Sequence, residues 1–358
     1  MTRGLVLSLA LLLPTLAHAS DTGLYAPDTG TDATSIINGT DATIDDYPMA
    51  GGMIMDGDIQ SSFGSGHFRA FLCSSTLIAP DVVLLAGHCL SSDAITGGMG
   101  TMTINKIGWS RQADLTSIDG MSQGTAEWPA DTVFAKDWVA NPNFDIHQMQ
   151  TGLAENYDIA LLFLDTPITD VEPAYLPTVE EATEIAVGDD VEVVGWGQQT
   201  ATSQLQRPPA GTYALKQMGQ SFLNEVSPYE MQVGAVASDV RKCHGDSGGP
   251  TFYTLQNTDT LNPMRIIGVT SHAYDNTDCN QKGGVDTRVD HYLTWIDQEM
   301  TSRCEDGTRV WCDVPGIIPA PVPKACGCNV APTAPELGSW GLALLALVGF
   351  RRRRHQTY

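Results

Sequence analysis

The chain has 358 residues and carries 42 acidic against 19 basic side chains, a formal net charge of −23 at pH 7. This balance excludes nucleic acid as a natural partner, because phosphate binding requires clustered positive charge. The chain is long enough to bury a sizeable core.

The amino terminus predicts export. Arg3 precedes an apolar stretch at 5–13, and Ala17-His18-Ala19 follows with small residues at the cleavage positions. Residues 1–19 therefore have the pattern of a secretory signal peptide. Residues 20–35 are polar and acidic, and we interpret them as a short propeptide. Export permits disulfides, so the eight cysteines are interpreted as a disulfide framework rather than as metal ligands.

The central region predicts an all-β fold with one helix. Short apolar runs at 82–85, 160–164, 191–194 and 266–270 are separated by Gly, Asp, Pro and Asn, which is typical of many short strands. The exception follows residue 288, where apolar residues recur at helical spacing and predict one amphipathic helix that closes the domain. These residues are Val289, Tyr292, Leu293, Ile296 and Met300.

Three segments carry candidate chemistry. Ser247 lies in the turn 245–250, Gly-Asp-Ser-Gly-Gly-Pro, whose glycines let backbone N–H groups converge on one point as an oxyanion hole requires. A serine nucleophile needs a histidine to remove its proton and a carboxylate to orient that histidine. His88 follows one apolar run and Asp158 precedes another. The chain order His, Asp, Ser with all three contexts intact predicts acyl transfer.

These motifs resemble the trypsin/chymotrypsin family of serine endopeptidases. Ile36-Ile37-Asn38-Gly39 is similar to the family's mature amino terminus and Gly195-Trp196-Gly197 to its mid-domain marker, so the resemblance spans 36–300. It implies two six-stranded antiparallel β-barrels with a C-terminal helix and the catalytic residues in the cleft between the barrels.

The resemblance also implies a mechanism on a protein or peptide substrate. Ser247 attacks the peptide carbonyl, His88 accepts its proton, Asp158 orients His88, and the N–H groups of Gly245 and Ser247 bind the oxyanion. The mechanism needs neither cofactor nor metal. The alternative is a catalytically silent homologue that acts as a surface binding module.

Disulfides and activation are implied in the same way. The family's bridges correspond to Cys73–Cys89 and Cys243–Cys279, and a small local bridge is predicted between Cys304 and Cys312. Activation implies cleavage before Ile36, whose freed amine pairs with Asp246 and orders the oxyanion hole. Ser35 stands before Ile36 instead of Arg or Lys. We therefore expect an activating protease of non-tryptic specificity, or cleavage elsewhere.

The specificity pocket departs from the trypsin pattern. Arg241 stands where trypsin-like members carry an Asp, and such a cation would repel a basic P1 side chain. Together with His244 and His272, Arg241 predicts an acidic or polar P1 residue. Alternatively, Asp286 neutralises Arg241 and the pocket prefers a neutral residue, or Asp286 itself faces a basic one. The predicted pocket residues are Arg241, Lys242, His244, Ser271, His272, Ala273, Gly284 and Asp286.

The carboxyl-terminal region predicts sorting to the cell envelope. Residues 301–336 are rich in Cys and Pro and read as an extended linker. The apolar segment 337–350 would span about 21 Å as a helix, short of the ~30 Å hydrocarbon core. With Cys326-Gly327-Cys328 before it and four arginines after it, the segment 337–358 resembles a MYXO-CTERM sorting tag. That resemblance implies transient tethering to the inner membrane by the envelope sorting machinery, then delivery to the outer surface of a Gram-negative-type bacterium. A plain tail anchor is the alternative, and Cys326 or Cys328 is either an attachment point or part of a bridge.

Overall fold

The computed structural model describes residues 35–62, 64–119, 126–199, 209, 211–275 and 282–323. Within them, thirteen strands and three helical segments account for the regular structure, together with short 3₁₀ turns. The strands are β1 (Thr40–Asp41), β2 (Ala50–Ser61), β3 (Gly64–Ala79), β4 (Val82–Leu85), β5 (Gly100–Ser110), β6 (Val133–Ala140), β7 (Ala160–Leu164), β8 (Asp190–Gly195), β9 (Gln217–Val226), β10 (Glu230–Val233), β11 (Pro250–Thr254), β12 (Met264–Ala273) and β13 (Gly284–Arg288). The helices are α1 (Ser35–Asn38), a single irregular turn, α2 (Ser92–Thr96) and α3 (Leu293–Glu305).

Two closed antiparallel barrels form the molecule, as expected. The first closes in the order β2-β3-β4-β7-β6-β5, and the second in the order β9-β10-β13-β12-β11-β8 because β8 pairs with β9. β1 adds to the outer edge of β9. All four apolar runs that predicted strands lie in strands, namely β4, β7, β8 and β12.

The core explains why two of these strands are apolar throughout. Every residue of β4 and β7 is buried, because one face of each points into the first barrel and the other is covered. Ile296 and Met300 of α3 belong to the same apolar cluster, so the predicted helix packs its apolar side on this barrel. Burial of this kind contributes about 1.5–3 kcal/mol for each large apolar side chain.

The domain extends beyond its predicted end at residue 300. α3 continues to Glu305, and residues 306–322, which we call the C-terminal strap, pack on the same unit although they contain no helix or strand. Arg309 of the strap pairs with Asp81 in the β3–β4 turn, where both side chains are fully buried. The Leu261 N–H donates to the carbonyl of Pro321 at 3.0 Å. The first half of the expected linker is thus part of the folded domain.

Two predicted disulfides are present, Cys73–Cys89 and Cys304–Cys312. Cys243 is disulfide-bonded as well, and its expected partner Cys279 lies outside the described residues. The signal peptide, most of the propeptide and the sorting tag also lie outside them. No helix among the residues described, which end at 323, has both the length and the apolarity needed to cross a bilayer.

Candidate active site

Strand register brings His88 and Asp158 together. β4 pairs antiparallel with β7 so that Leu85 lies opposite Ala160. His88 lies just beyond that end of β4, in the 3₁₀ turn Gly87–Leu90, and Asp158 lies just before β7. The two side chains therefore meet at one edge of the first barrel. His88 Nδ1 lies 2.7 Å from Asp158 Oδ2, and the His88 backbone N–H donates to Asp158 Oδ1 at 2.8 Å.

The contact fixes the tautomer of the imidazole. A carboxylate can only accept hydrogen bonds, so Nδ1 of His88 must carry the proton that faces Asp158. Nε2 is then left with a lone pair, which is the form that a general base requires. His88 is 9% exposed and Asp158 is fully buried.

Asp158 also receives donors from the second barrel. The Ser271 hydroxyl on β12 donates to Asp158 Oδ2 at 2.6 Å, and the Thr287 hydroxyl on β13 donates to the Asp158 backbone carbonyl at 2.9 Å. Burial is the largest influence on the pKa of Asp158 and raises it, but the charge of His88 and the hydrogen bonds from His88 and Ser271 outweigh burial. The pKa of Asp158 is lowered overall, so the carboxylate is ionised and stabilises an imidazolium at His88.

The turn that carries Ser247 is bonded to β3 of the first barrel. Gly245 and Gly248 have φ values of +92° and +78°, a region that favours glycine. The Gly245 carbonyl accepts the backbone N–H and the hydroxyl of Ser74 on β3 at 3.1 and 2.9 Å. A Cβ at Gly248 would lie 2.4 Å from the Ser74 carbonyl and 3.0 Å from the backbone nitrogen of Ala86. Ser247, 8% exposed, is thereby held next to the chain that leads into His88.

Asp246 is enclosed by the Gly-Trp-Gly segment. Its two carboxylate oxygens accept the backbone N–H groups of Gly197 and Cys243, each at 2.8 Å. A Cβ at Gly195 or Gly197 would lie 2.0 or 2.5 Å from Asp246 atoms, so both positions require glycine. Asp246 has no exposure, and this burial raises its pKa to about 6. Such a carboxylate favours the arrival of a cation.

Ile36 lies in the second barrel's apolar cluster. It is fully buried, and its φ of 30° is strained for a β-branched residue. The next residue, Ile37, accepts the Arg241 backbone N–H at 3.0 Å. The segment expected to become the amino terminus is thus bonded to the loop that leads to Asp246 and Ser247.

Comparison with known proteins agrees with this geometry. The family described as Trypsin matches residues 36–296. The chain belongs to the trypsin family, and it is a serine-type endopeptidase.

Three animal proteins are among the relatives that the chain resembles. The CLIP domain-containing serine protease B10 of Anopheles gambiae is 28% identical over 281 residues, 75% of this chain and 70% of that protein. Phenoloxidase-activating factor 3 of Holotrichia diomphalia is 27% identical, with 74% and 72% covered. Chymotrypsin-like elastase family member 1 of the dog is 27% identical, with 75% and 93% covered.

His88 and two cysteines are spaced like metal ligands, but the cysteines form the disulfide expected from the family. The nitrogen of His88 and the sulfurs of Cys73 and Cys89 lie within 4.8 Å of one another. The two cysteines are joined, so they offer no thiolate, which is the form that binds a metal. The grouping is therefore a bridge that anchors the histidine turn to β3.

The two cations predicted for the pocket have different partners in the structure. Lys242 Nζ lies 2.7 Å from Asp286 Oδ2, and both side chains are buried. The alternative in which Asp286 pairs with Arg241 is wrong, because Lys242 reaches that carboxylate instead. The Arg241 guanidinium donates to the backbone carbonyls of Asp239 and Ala237 at 3.1 and 2.6 Å.

The remaining pocket residues lie on β12, on β13 and in the loop before Ser247. Ala273 on β12 pairs with Gly284 on β13, so these two small residues share one edge of the second barrel. Ser271 contacts Asp158 as described. His244 is buried, and its carbonyl accepts the Gln198 N–H at 2.8 Å.

His272 belongs to a network that the sequence did not reveal. Its Nδ1 lies 2.7 Å from the Ala273 carbonyl, and its Nε2 lies 3.2 Å from the Asn156 amide and 3.5 Å from Glu230 Oε1. Glu230 also accepts the Ala154 N–H and the Asn156 amide. Asn156 stands next to the Asp motif and could have been suspected, whereas no local pattern marks Glu230.

Proposed function

We propose that this chain is an exported serine endopeptidase, made as an inactive precursor, whose triad is Ser247, His88 and Asp158. The observation that carries the proposal is the fully buried Asp158 carboxylate, bonded to His88 Nδ1 at 2.7 Å and to Ser271 at 2.6 Å. A carboxylate held in this way orients one imidazole tautomer and stabilises its protonated form, which is the requirement for activating a serine.

The reaction proceeds through an acyl-enzyme. Ser247 Oγ attacks the peptide carbonyl while His88 Nε2 removes its proton, and the oxyanion binds the N–H groups of Gly245 and Ser247. His88 then protonates the leaving amine. Water, activated by His88, hydrolyses the ester. The left-handed φ of Gly245 supports this arrangement, because it turns that N–H out of any regular strand.

Activation couples Ile36 to Asp246. Cleavage before Ile36 frees an α-amino group, which pairs with the Asp246 carboxylate and holds the oxyanion loop. The carboxylate is fully buried, has a pKa raised to about 6 and is held by backbone N–H groups, so a cation beside it lowers the cost of its charge. Because Ser35 precedes the bond, the activating protease is one that does not require Arg or Lys.

Export is supported by the signal-peptide pattern at 1–19 and by two disulfides among the described residues. In this proposal, the tail at 337–358 tethers the protein transiently to the inner membrane, and the envelope sorting machinery then delivers it to the outer surface. Amino- and carboxyl-terminal sequencing of the secreted form tests this part, and recovery of an uncleaved carboxyl terminus in the membrane fraction would support the plain anchor.

The catalytic proposal is tested with a fluorophosphonate probe on the purified chain before and after cleavage at Ile36. Labelling is expected at Ser247 in the cleaved protein, with little in the precursor and none in Ser247→Ala. Replacement of His88 by Ala should abolish labelling in protein that circular dichroism shows to be folded. Cleaved protein with a proven Ile36 amine that does not react would overturn the triad and support the silent binding module.

A further inference from the structure

The inner end of the candidate P1 site is occupied by a buried ion pair. Lys242 Nζ donates to Asp286 Oδ2 at 2.7 Å and to the Thr251 hydroxyl at 2.5 Å, and that hydroxyl donates to the same carboxylate oxygen at 2.5 Å. The side chain of Lys242 is 1% exposed and that of Asp286 is not exposed. One cation and one anion are therefore paired inside the second barrel through Asp286 Oδ2.

The path of the Lys242 side chain follows from strand geometry. Gly284 and Asp286 are alternate residues of β13, so they share one face of that strand. A Cβ built at Gly284 would lie 4.0 Å from Lys242 Cβ and 4.0 Å from the His272 carbonyl, with nothing nearer. The lysine stem thus begins beside Gly284 and runs along this face to Asp286. It covers the inner part of the wall and leaves room beside Gly284, where a built Cβ has no neighbour closer than 4.0 Å.

The two cations of this loop already have hydrogen-bond acceptors. Lys242 is matched by Asp286, and the guanidinium of Arg241 donates to the carbonyls of Ala237 and Asp239. A charged P1 side chain would have to enter a site whose lysine is already paired and whose arginine is already hydrogen-bonded, and would lose its hydration without a partner of its own.

We propose that the Lys242–Asp286 pair sets the P1 specificity of this enzyme to small uncharged residues such as Ala, Ser, Thr and Val. The proposal rests on the proposed function, because it concerns the same cleft. The paired charges exclude Lys, Arg, Asp and Glu, and the lysine stem limits the depth available to Phe, Tyr and Leu.

The first test is a P1 profile of the cleaved enzyme, measured as kcat/KM on peptides that differ only at P1. The active-site concentration is set by fluorophosphonate titration. Enzyme that fails to titrate overturns the proposed triad. Enzyme that titrates but prefers Lys, Arg, Asp or Glu overturns charge compensation, and a preference for Phe, Tyr or Leu overturns the limited depth. A profile led by Ala, Ser, Thr or Val supports the proposal.

The second test separates the two charges. Asp286→Asn leaves the lysine uncompensated and should raise the Glu-to-Ala ratio of kcat/KM by roughly 30-fold, whereas Lys242→Met should raise the Lys-to-Ala ratio similarly. The double variant Lys242→Met/Asp286→Asn removes both charges of the pair and should return both kcat/KM ratios to the wild-type values. Arg303→Met, which removes a cation from α3 outside the predicted pocket, is the control, and both ratios should stay unchanged. Single variants that titrate fully and keep the wild-type ratios would overturn the assignment.

The third test addresses the depth of the P1 site, and its variants leave no single unpaired charge at Lys242 or Asp286. Lys242→Ala/Asp286→Asn removes the stem as well as both charges, and it should raise the Phe-to-Ala ratio at least tenfold over Lys242→Met/Asp286→Asn. An unchanged ratio in fully titrating enzyme contradicts the path assigned to the lysine stem. If neither double variant folds, the wild-type profile still decides the proposal.

Discussion

Replacing Arg309 by Met tests whether the C-terminal strap is part of the protease domain. Arg309 Nη2 lies 2.7 Å from Asp81 Oδ1, and neither side chain is exposed. The backbone N–H groups of Val310 and Trp311 both donate to Asp81 Oδ2 at 3.0 Å. Removal of the guanidinium therefore leaves a buried carboxylate that keeps two donors on one oxygen but loses its counter-charge.

The expected loss of stability follows from that arrangement. Breaking a buried ion pair from one side costs about 3–5 kcal/mol, and the two remaining N–H donors favour the lower end, about 3 kcal/mol. For a domain of this size, such a loss lowers the unfolding midpoint by roughly 10 °C. Urea and thermal unfolding followed by circular dichroism measure both quantities.

Two controls make the result specific. Arg303→Met removes a cation whose partners Asp137 and Glu299 are 38% and 26% exposed, so we expect a loss of about 1 kcal/mol. Asp81→Asn added to Arg309→Met removes the orphaned charge and should recover part of the stability. If Arg309→Met lowers the free energy of unfolding no more than Arg303→Met does, the reasoning is refuted and residues 306–322 behave as a linker.

Three further predictions concern the catalytic cleft. Ser271→Ala removes one donor from the Asp158 carboxylate and should reduce kcat/KM about tenfold, measured per titrated active site. Gly245→Ala places a Cβ 2.6 Å from a tyrosine ring at a φ of +92° and should abolish most fluorophosphonate labelling, whereas Gly98→Ala, at a φ of +69° in open space, should not. Asp246 has its pKa raised from 3.8 to about 6, so in the precursor its contribution to stability is full below pH 3.8 and is lost as pH rises through about 6. Urea unfolding at pH 4 and at pH 7 measures this loss. We expect the free energy of unfolding of the precursor to fall by about 3 kcal/mol between the two pH values, and the cleaved protein to show no such fall.

Local apolar patterns predict the short strands and the closing helix, whereas the two barrels are expected only from the family resemblance. The apolar run 82–85 and the run 160–164 become β4 and β7 without change of bounds, and their register alone carries His88 to Asp158. The Gly195-Trp196-Gly197 marker has a physical cause as well, since Asp246 occupies the space that two Cβ atoms would need.

The pocket chemistry could not be predicted in the same way. Arg241 and Lys242 are adjacent cations, and the sequence does not tell which of them reaches Asp286, because that depends on how the loop before Ser247 turns over β13. Thr251 and Glu230 were missed for a related reason. Each acts on a residue that lies far away in the chain, and neither has a local motif.

Asp158 connects the two barrels through its own chemistry. Its acceptors are filled by His88 from the first barrel and by Ser271 and Thr287 from the second. Without the second barrel, the carboxylate would lose the Ser271 hydrogen bond, which is one of the contacts that lower its pKa. A protonated Asp158 cannot stabilise an imidazolium at His88. The docking of the barrels therefore contributes to the charge state on which the proposed proton abstraction from Ser247 depends, so mutations at the interface are expected to reduce kcat before they unfold either barrel.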